Sequence, residues 1–282
     1  MILSTDSTSN LPKEYYREHD ISMIPLQIYL DGEIFDDLSD DLPLDSFYEK
    51  MKNGSVPKTA QINEQTAREY FLSLLEKGED ILHISFSSAL SGNTPTIIKI
   101  ANELNQTSKN KILVFDSLNA SVGEGLFVLI AKDLISQGKN IDEIYSYLMD
   151  IRPFSRSIFT VEQLKYLVRG GRISKFSGIV GSLLNIKPIL RVDNEGKLVS
   201  YKKVISRKKS ISEMAEICKS QIANTEHIYI SQALCIDEAT ALANLIEESV
   251  GKRPNIVDLT QVIGSHTGPG LIALFFISKE KN

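Results

Sequence analysis

The first half of the chain alternates short apolar runs with longer stretches in which apolar residues recur every three or four positions. The short apolar runs predict extended segments at 1–4, 21–30, 80–86 and 111–115. The longer stretches predict helices, at 67–76, 95–104 and 122–137. Strands that alternate with helices are typical of a parallel sheet covered by helices on both faces. The pattern therefore predicts an α/β domain over 1–154.

The pattern changes in the second half. Two extended segments, 185–192 and 197–204, flank Asp193–Gly196, which is a β-hairpin signal with glycine in the turn. Helices are predicted at 208–222 and 238–250, and strands at 227–234, 255–259 and 271–277. This order predicts a mixed α+β domain over 155–282. No linker separates it from the first domain, so the boundary rests on the change of pattern alone.

Composition narrows the class of protein. The chain has 282 residues, 42% of them hydrophobic, which is enough for one large or two ordinary domains. A net charge of -5 argues against general nucleic-acid binding, which needs a basic field. The apolar runs are too short for a membrane span, and the first residues lack a secretory signal. Cys218 and Cys235 form no C-x-x-C pair, so reduced thiols and a cytoplasmic location are expected.

Charge is distributed unevenly along the chain. An acidic run without a basic residue covers Asp31, Glu33, Asp36, Asp37, Asp40, Asp41 and Asp45. A basic stretch covers Lys197, Lys202, Lys203, Arg207, Lys208 and Lys209. Each is expected to form a solvated face, and the alternative is a docking surface for a charged partner.

Two polar segments before predicted helices are candidate binding sites. The segment Ser87–Asn93 presents hydroxyls and backbone N–H groups at a helix start, where Pro95 fits the first turn. Such a position favours an anion, and the alternative is that Ser91 only caps the helix. Thr59 lies in a predicted polar loop, where capping or turn chemistry is the simpler interpretation.

Two glycine-containing segments in the second half have both structural and functional interpretations. Three glycines and a proline in Gly264–Gly270 predict a rigid loop that holds His266 between two hydroxyl residues. Arg169 and Arg172 flank a glycine turn, which either ends a helix or recognises an anion or a protein. The next residues, 176–184, predict a closely packed helix or the wall of an apolar cavity.

Several common enzymatic signatures are absent. The sequence contains no phosphate-binding G-x-x-x-x-G-K-[ST] motif, no H-E-x-x-H, no EF-hand loop and no G-x-S-x-G motif. The acidic run does not have the spacing of metal ligands. Any catalytic site would therefore have to be assembled from scattered residues, for example Ser91 as nucleophile with His266 as base.

Taken together, these segments resemble the DegV family. The matching pieces follow one another across nearly the whole chain: Thr5–Pro12, Ile24–Leu26, Leu90–Gly92, Asp116–Ser117 with Ser121–Gly125, 169–174, 184–190 and Gly264–Gly270. The resemblance implies a two-domain α/β protein with a lipid chain buried near the domain interface.

The resemblance also implies a function. Family members are similar to the fatty-acid-binding subunit of bacterial fatty acid kinase, which presents a fatty acid carboxylate to a separate ATP-using kinase. Carried over by motif position, Thr59, Ser91 and the Gly92 N–H would bind the carboxylate, and His266 would complete the network. Arg169, Arg172 and Arg207 would stabilise this region or face the kinase. The expectation is a carrier of long-chain fatty acid without catalytic residues, metal, other cofactor, nucleic-acid binding or stable membrane insertion.

The chain departs from the family pattern at the expected head-group loops. Ala60 and Ile62 replace the usual serine and proline after Thr59. After Gly92, Asn93 and Thr94 stand where the family usually has Thr-Tyr, and they precede Pro95. We therefore expect a different loop shape around the head group with the same fold. The rival hypotheses are the Ser91–His266 hydrolase and a DNA-linked regulator, and the net charge disfavours the second.

Overall fold

The structure is a computed structural model that describes residues 1–173 and 187–282. The predicted helix or cavity wall at 176–184, and the parts of two family motifs within 174–186, lie outside the described residues. None of the helices in the described ranges combines the length and apolarity needed to cross a bilayer.

In chain order the strands are β1 (Ile2–Asp6), β2 (Ser22–Ile24), β3 (Gln27–Leu30), β4 (Glu33–Asp36), β5 (Lys58–Ala60), β6 (Ile81–Ser85), β7 (Ile112–Asp116), β8 (Ser155–Thr160), β9 (Ile189–Val192), β10 (Leu198–Lys202), β11 (Tyr229–Gln232), β12 (Asn255–Asp258) and β13 (Ile272–Ile277). The helices are α1 (Lys13–Glu18), α2 (Leu44–Lys52), α3 (Glu64–Leu75), α4 (Asn93–Asn105), α5 (Val122–Ser136), α6 (Ile141–Ile151), α7 (Lys165–Arg169), α8 (Arg207–Gln221), α9 (Ile236–Val250) and α10 (Gln261–Thr267).

A parallel sheet forms the centre of the first half, in the order β2-β1-β6-β7. Its strands β1 and β6 are buried along their whole length, as expected for a sheet with both faces covered. Helices α3 and α4 pack against each other, as do α5 and α6, and α4 and α5 contact the sheet. The predicted α/β class is confirmed.

The second half forms a six-stranded mixed sheet in the order β10-β9-β8-β13-β11-β12. Only β11 and β12 run parallel, and β9 and β10 form the predicted hairpin. Strand β8 begins at Ser155, the residue where the second domain is predicted to start. The division into two domains stays a prediction, because one hydrophobic core includes residues from both halves.

Helix α5 lies between the two sheets and contacts β1 and β6 on one side and β8, β11 and β13 on the other. Its first eight residues are buried. Two glycines allow this close packing. A Cβ at Gly123 would overlap Asn119 and the Ser157 hydroxyl, and one at Gly125 would lie 2.5 Å from the Ser9 carbonyl oxygen.

A three-stranded antiparallel sheet, β4-β3-β5, was not predicted. The expected extended segment at 21–30 is two strands in different sheets, since Pro25 has no N–H to continue a ladder. Thr59 lies in β5, opposite Ile28, so its prediction as a loop residue was wrong. The strand has three residues, too few for an alternation to show in the sequence.

The predicted loop at Gly264–Gly270 is helical as far as Thr267, so that prediction was wrong for the segment that contains His266. Gly264 is needed inside α10 for close packing, because a Cβ there would overlap the Tyr48 hydroxyl. The turn follows the helix, at Gly268 and Gly270, which have φ angles of +74° and +85°.

The acidic run is exposed except at Asp37, which is buried. The Asp37 Oδ1 accepts a hydrogen bond of 3.1 Å from the Val262 N–H in the first turn of α10. Asp37 thus caps a helix from elsewhere in the chain, and the prediction of a solvated face was wrong at this position. Burial raises the pKa of its carboxyl to about 7.

Candidate functional site

A cavity of about 280 Å³ lies between the parallel sheet, the mixed sheet and α10. Its walls are mostly apolar, and residues from both halves of the chain line it. Six of them are Phe86, Phe159, Val262, Ile263, Leu271 and Phe275. No local sequence pattern indicated that these six residues leave a space between them.

The four predicted head-group residues, Thr59, Ser91, Gly92 and His266, all line this one cavity. They come from β5, from the segment after β6 and from α10. The Thr59 Oγ1 and the His266 Nε2 are 2.8 Å apart, within hydrogen-bond distance. The structure therefore brings together residues up to 207 positions apart in the sequence.

The direction of the Thr59–His266 hydrogen bond follows from the other ring nitrogen. The His266 Nδ1 is buried and has no hydrogen-bond partner among the described residues. A buried N–H without a partner costs more than a bare nitrogen lone pair, so the proton belongs on Nε2. His266 then donates to the Thr59 oxygen, and the Thr59 hydroxyl proton is left to donate to a third group.

The imidazole of His266 is neutral at physiological pH. Burial, together with the charges of Arg172 and Arg169, lowers its pKa from 6.5 to about 4. A neutral ring carries a proton on only one of its two nitrogens, here Nε2, and adds no charge to the site. Among the described residues that line the cavity, Arg172 is the one lysine or arginine.

Ser91 and Gly92 lie at the N-terminus of α4, a helix of 13 residues, where backbone donors favour an anion. The Ser91 Oγ accepts a 3.1 Å hydrogen bond from the Asn93 N–H, so the local capping role proposed for Ser91 is also present. The Gln61 side chain packs directly against Gly92.

Two of the departures from the family pattern interact with each other. The Ile62 N–H donates to the Asn93 Oδ1 at 3.3 Å, and the Asn93 Nδ2 donates to the Asp6 Oδ2 at 3.2 Å. Asn93 therefore joins the segment that follows β5 to the first turn of α4. Ala60 also lines the cavity, whereas Pro95 is exposed in the first turn of α4.

The three arginines occupy different environments. Arg172 is exposed at the edge of the cavity, and its Nε donates to the Leu90 carbonyl at 3.2 Å. Arg169 ends α7 before Gly170 and lies over the Tyr166 ring. The Arg207 side chain is only 13% exposed and pairs with Glu238 at 2.9 Å. Its contacts are those of a structural residue.

The hydrolase hypothesis is not supported. The His266 Nε2 bonds to Thr59, and the Ser91 Oγ bonds to the Asn93 N–H. In the described part of the chain no hydrogen bond joins Ser91 to His266, as a serine nucleophile and its base would require.

The sequence interpretation missed a buried acidic pair beside the cavity. The Thr8 Oγ1 lies within hydrogen-bond distance of both Glu124, at 2.9 Å, and Asp6, so its single proton serves one of the two carboxyl groups, and Thr8 lines the cavity. Burial raises the pKa of Asp6 to about 6 and that of Glu124 well above its usual value. The signal was the polar run Thr5–Asn10 directly after a buried strand.

Comparison with known proteins gives a consistent picture. A DegV domain-containing protein from Clostridium perfringens is 35% identical over 285 residues, covering 99% of this chain and 98% of that protein. One from Streptococcus pyogenes serotype M3 is 33% identical over 284 residues, with 98% of each chain covered.

Solved structures are also similar. A structure described as fatty acid binding of a DegV family protein from Thermus thermophilus has a TM-score of 0.88, 28% identity and coverage of 98% of this chain and 99% of that chain. A fatty acid binding DegV family protein from Streptococcus agalactiae has a TM-score of 0.88 and 29% identity, with 99% of each chain covered. The family model described as "Uncharacterised protein, DegV family" matches residues 2–279. This chain belongs to the DegV family.

Proposed function

We propose that the protein binds one long-chain fatty acid in the cavity and presents its carboxylate to a separate fatty acid kinase. The observation that carries the binding proposal is the Thr59–His266 hydrogen bond in the lining of a mostly apolar cavity. Relatives of known structure that are described as fatty acid binding support the same ligand class.

The carboxylate would be held by neutral donors. With the proton of His266 on Nε2, the Thr59 hydroxyl donates to one carboxylate oxygen. Ser91 and the Gly92 N–H, at the positive end of α4, would donate to the carboxylate as well. Each such bond to a charged acceptor contributes about 1.5–3 kcal/mol. These donors offset the cost of removing the carboxylate from water.

The acyl chain would supply most of the affinity. Each buried CH₂ group contributes about 0.8 kcal/mol. Most of the cavity wall that the acyl chain would contact is apolar. Tail burial therefore sets the affinity, and the head-group residues set the orientation of the carboxylate.

Presentation to a kinase would use the exposed edge of the cavity. Gly92 and Arg172 are both exposed and both line the cavity, so this edge is accessible to a partner. Arg172 donates to the Leu90 carbonyl and has no acidic partner in the described residues. Its charge is therefore available to pair with an acidic residue of a partner protein. We propose Arg172, with Arg169, as the contact for the kinase.

The binding proposal is tested by mass spectrometry of an organic extract, followed by titration of the delipidated protein with palmitate and stearate. A stoichiometric fatty acid is expected. Thr59→Val keeps the shape of the side chain and should weaken binding about tenfold, the cost of one hydrogen bond to a charged group. Thr66→Val, on the exposed face of α3, is the matched control and should bind as the wild type does. No bound acid and no uptake would refute the proposal.

The presentation step has its own test. With a fatty acid kinase catalytic subunit and ATP, the loaded protein should support acyl phosphate formation. Arg172→Glu should lower this turnover at least tenfold and leave fatty acid affinity within about twofold. Glu64→Arg, a charge reversal on the exposed start of α3, should change neither. Full turnover by Arg172→Glu would reject the assigned contact.

A further inference from the structure

A second group of hydroxyls lines the cavity at the first turn of α5. Ser121 and Ser157 are both at most 4% exposed, and both contribute to the cavity wall. Ser157 lies beside this turn, because a Cβ at Gly123 would overlap the Ser157 hydroxyl. None of the hydrogen bonds found in the described residues joins them to Thr59, Ser91 or His266. An apolar acyl chain alone would not need them.

The proton of Ser157 has a fixed direction. The Asn119 Oδ1 accepts from the Ala120 N–H at 3.0 Å, and the Asn119 Nδ2 donates to the Ser155 Oγ at 3.1 Å, which sets the orientation of the amide. The Ser157 Oγ is 2.6 Å from the same Oδ1 and must therefore donate to it. Ser157 consequently offers the cavity a hydrogen-bond acceptor.

Ser121 can act as a donor to the cavity. It precedes α5 at the position where a serine side chain normally caps the helix, yet it makes no capping bond. Its φ of 55° turns the side chain away, and its Oγ lies 3.1 Å from the Ser231 Oγ. When Ser231 donates to Ser121, the Ser121 proton is free for a group in the cavity.

We infer that this end of the cavity binds a hydroxyl group carried on the acyl chain, so that hydroxy fatty acids are preferred ligands. The inference rests on the proposed fatty acid binding. A ligand hydroxyl that meets Ser157 can donate to its Oγ, and a hydroxyl that reaches Ser121 can accept from it. A keto group can only accept, and a methylene group can do neither.

An unsubstituted chain still binds, because Ser121 and Ser157 keep their protein partners in its presence. A hydroxyl that meets the apolar wall elsewhere would lose its water without gaining a partner, which is costly. The structure therefore gives a preference that depends on the position of the hydroxyl along the chain.

The test uses delipidated protein and hydroxystearates whose hydroxyl is moved along the chain, with stearate as reference. One position, or two adjacent ones, should bind at least as tightly as stearate, and the others about tenfold more weakly. At the preferred position, the matching ketostearate should bind about fivefold more weakly than the hydroxystearate.

Variants assign the effect to the hydroxyls. Ser157→Ala should weaken the preferred hydroxystearate about fivefold relative to stearate, so that the preference between the two acids is lost. Ser155→Ala removes a hydroxyl of the same network that does not line the cavity, and it should keep the wild-type preference. If stearate binds but every hydroxystearate is weaker in wild type and Ser157→Ala alike, this inference fails alone. If no acid binds, the proposed function fails with it.

Discussion

The two faces of the mixed sheet carry the same alternation of residues but differ in how they are covered. On one face, Ile272, Leu274 and Phe276 of β13 pack in a closed core with α8 and α9. On the other face, Ala273 and Phe275 line the cavity with Ser157 and Phe159 of β8. Neighbouring residues of one strand therefore have different tasks.

The difference shows how one sheet can be both scaffold and binding wall. The closed face is made of large aliphatic and aromatic side chains, which fill the space to the helices. The cavity face includes the small residues Ala273 and Ser157, opposite partners that do not fill the volume. We expect substitutions on the closed face to change stability, and those on the cavity face to change ligand binding.

The largest effect is expected on the closed face. Leu274→Ala removes a fully buried side chain and leaves a void, so it should lower the free energy of unfolding by about 3 kcal/mol. Chemical denaturation measures this change. The fatty acid affinity of the remaining folded protein should stay within about twofold of the wild-type value. A large loss of affinity would contradict the proposed difference between the two faces.

One residue earlier, Ala273→Leu should have the opposite profile. The added atoms enter the cavity, where they take space from the acyl chain, so we expect affinity for stearate to fall at least tenfold (about 1.4 kcal/mol). The free energy of unfolding of the delipidated protein should change by less than about 1 kcal/mol. Shorter acids should lose less affinity than stearate, which separates blockage of the cavity from misfolding.

A smaller effect depends on pH and concerns Asp37, which supports α10 on the cavity side. Because burial raises its pKa from 3.8 to about 7, the folded state binds more protons than the unfolded state in that interval. This contribution to stability is present below pH 3.8 and is lost as the pH rises through 7.

Asp37→Asn removes that titration, so at pH 8 the variant should be more stable than the wild type by more than about 1 kcal/mol. The measurement is the difference between the two unfolding curves from pH 4 to 8, in which the unchanged His83 and His266 cancel. A difference that does not vary with pH would show that Asp37 is ionised throughout.

Much of the fold could be predicted from the sequence, because in most elements the long-range packing agrees with the local pattern of apolar residues. Strands such as β7 begin with a continuous apolar run between helices, and their pairing in a parallel sheet follows from that order. The failures share one cause. Strand β5 and helix α10 are three and seven residues long, and contacts distant in sequence decide their structure.

The candidate site was predictable only in part. Family motifs pointed to Thr59, Ser91, Gly92 and His266, and the structure places all four on one cavity. No local pattern could give the direction of the His266 hydrogen bond, since it depends on an unpartnered Nδ1 in the folded chain. The same holds for Ser157, whose proton is directed by an asparagine 38 residues away.

The close packing around α5 has a consequence for how this protein can diversify. Gly123 and Gly125 leave no room for larger side chains, so the first turn of α5 is a part of the cavity that evolution can hardly reshape. The β9–β10 hairpin contributes Val192 and Leu198 to the same cavity from the edge of its sheet. Paralogues with different acyl preferences should therefore vary at this hairpin while the start of α5 stays constant.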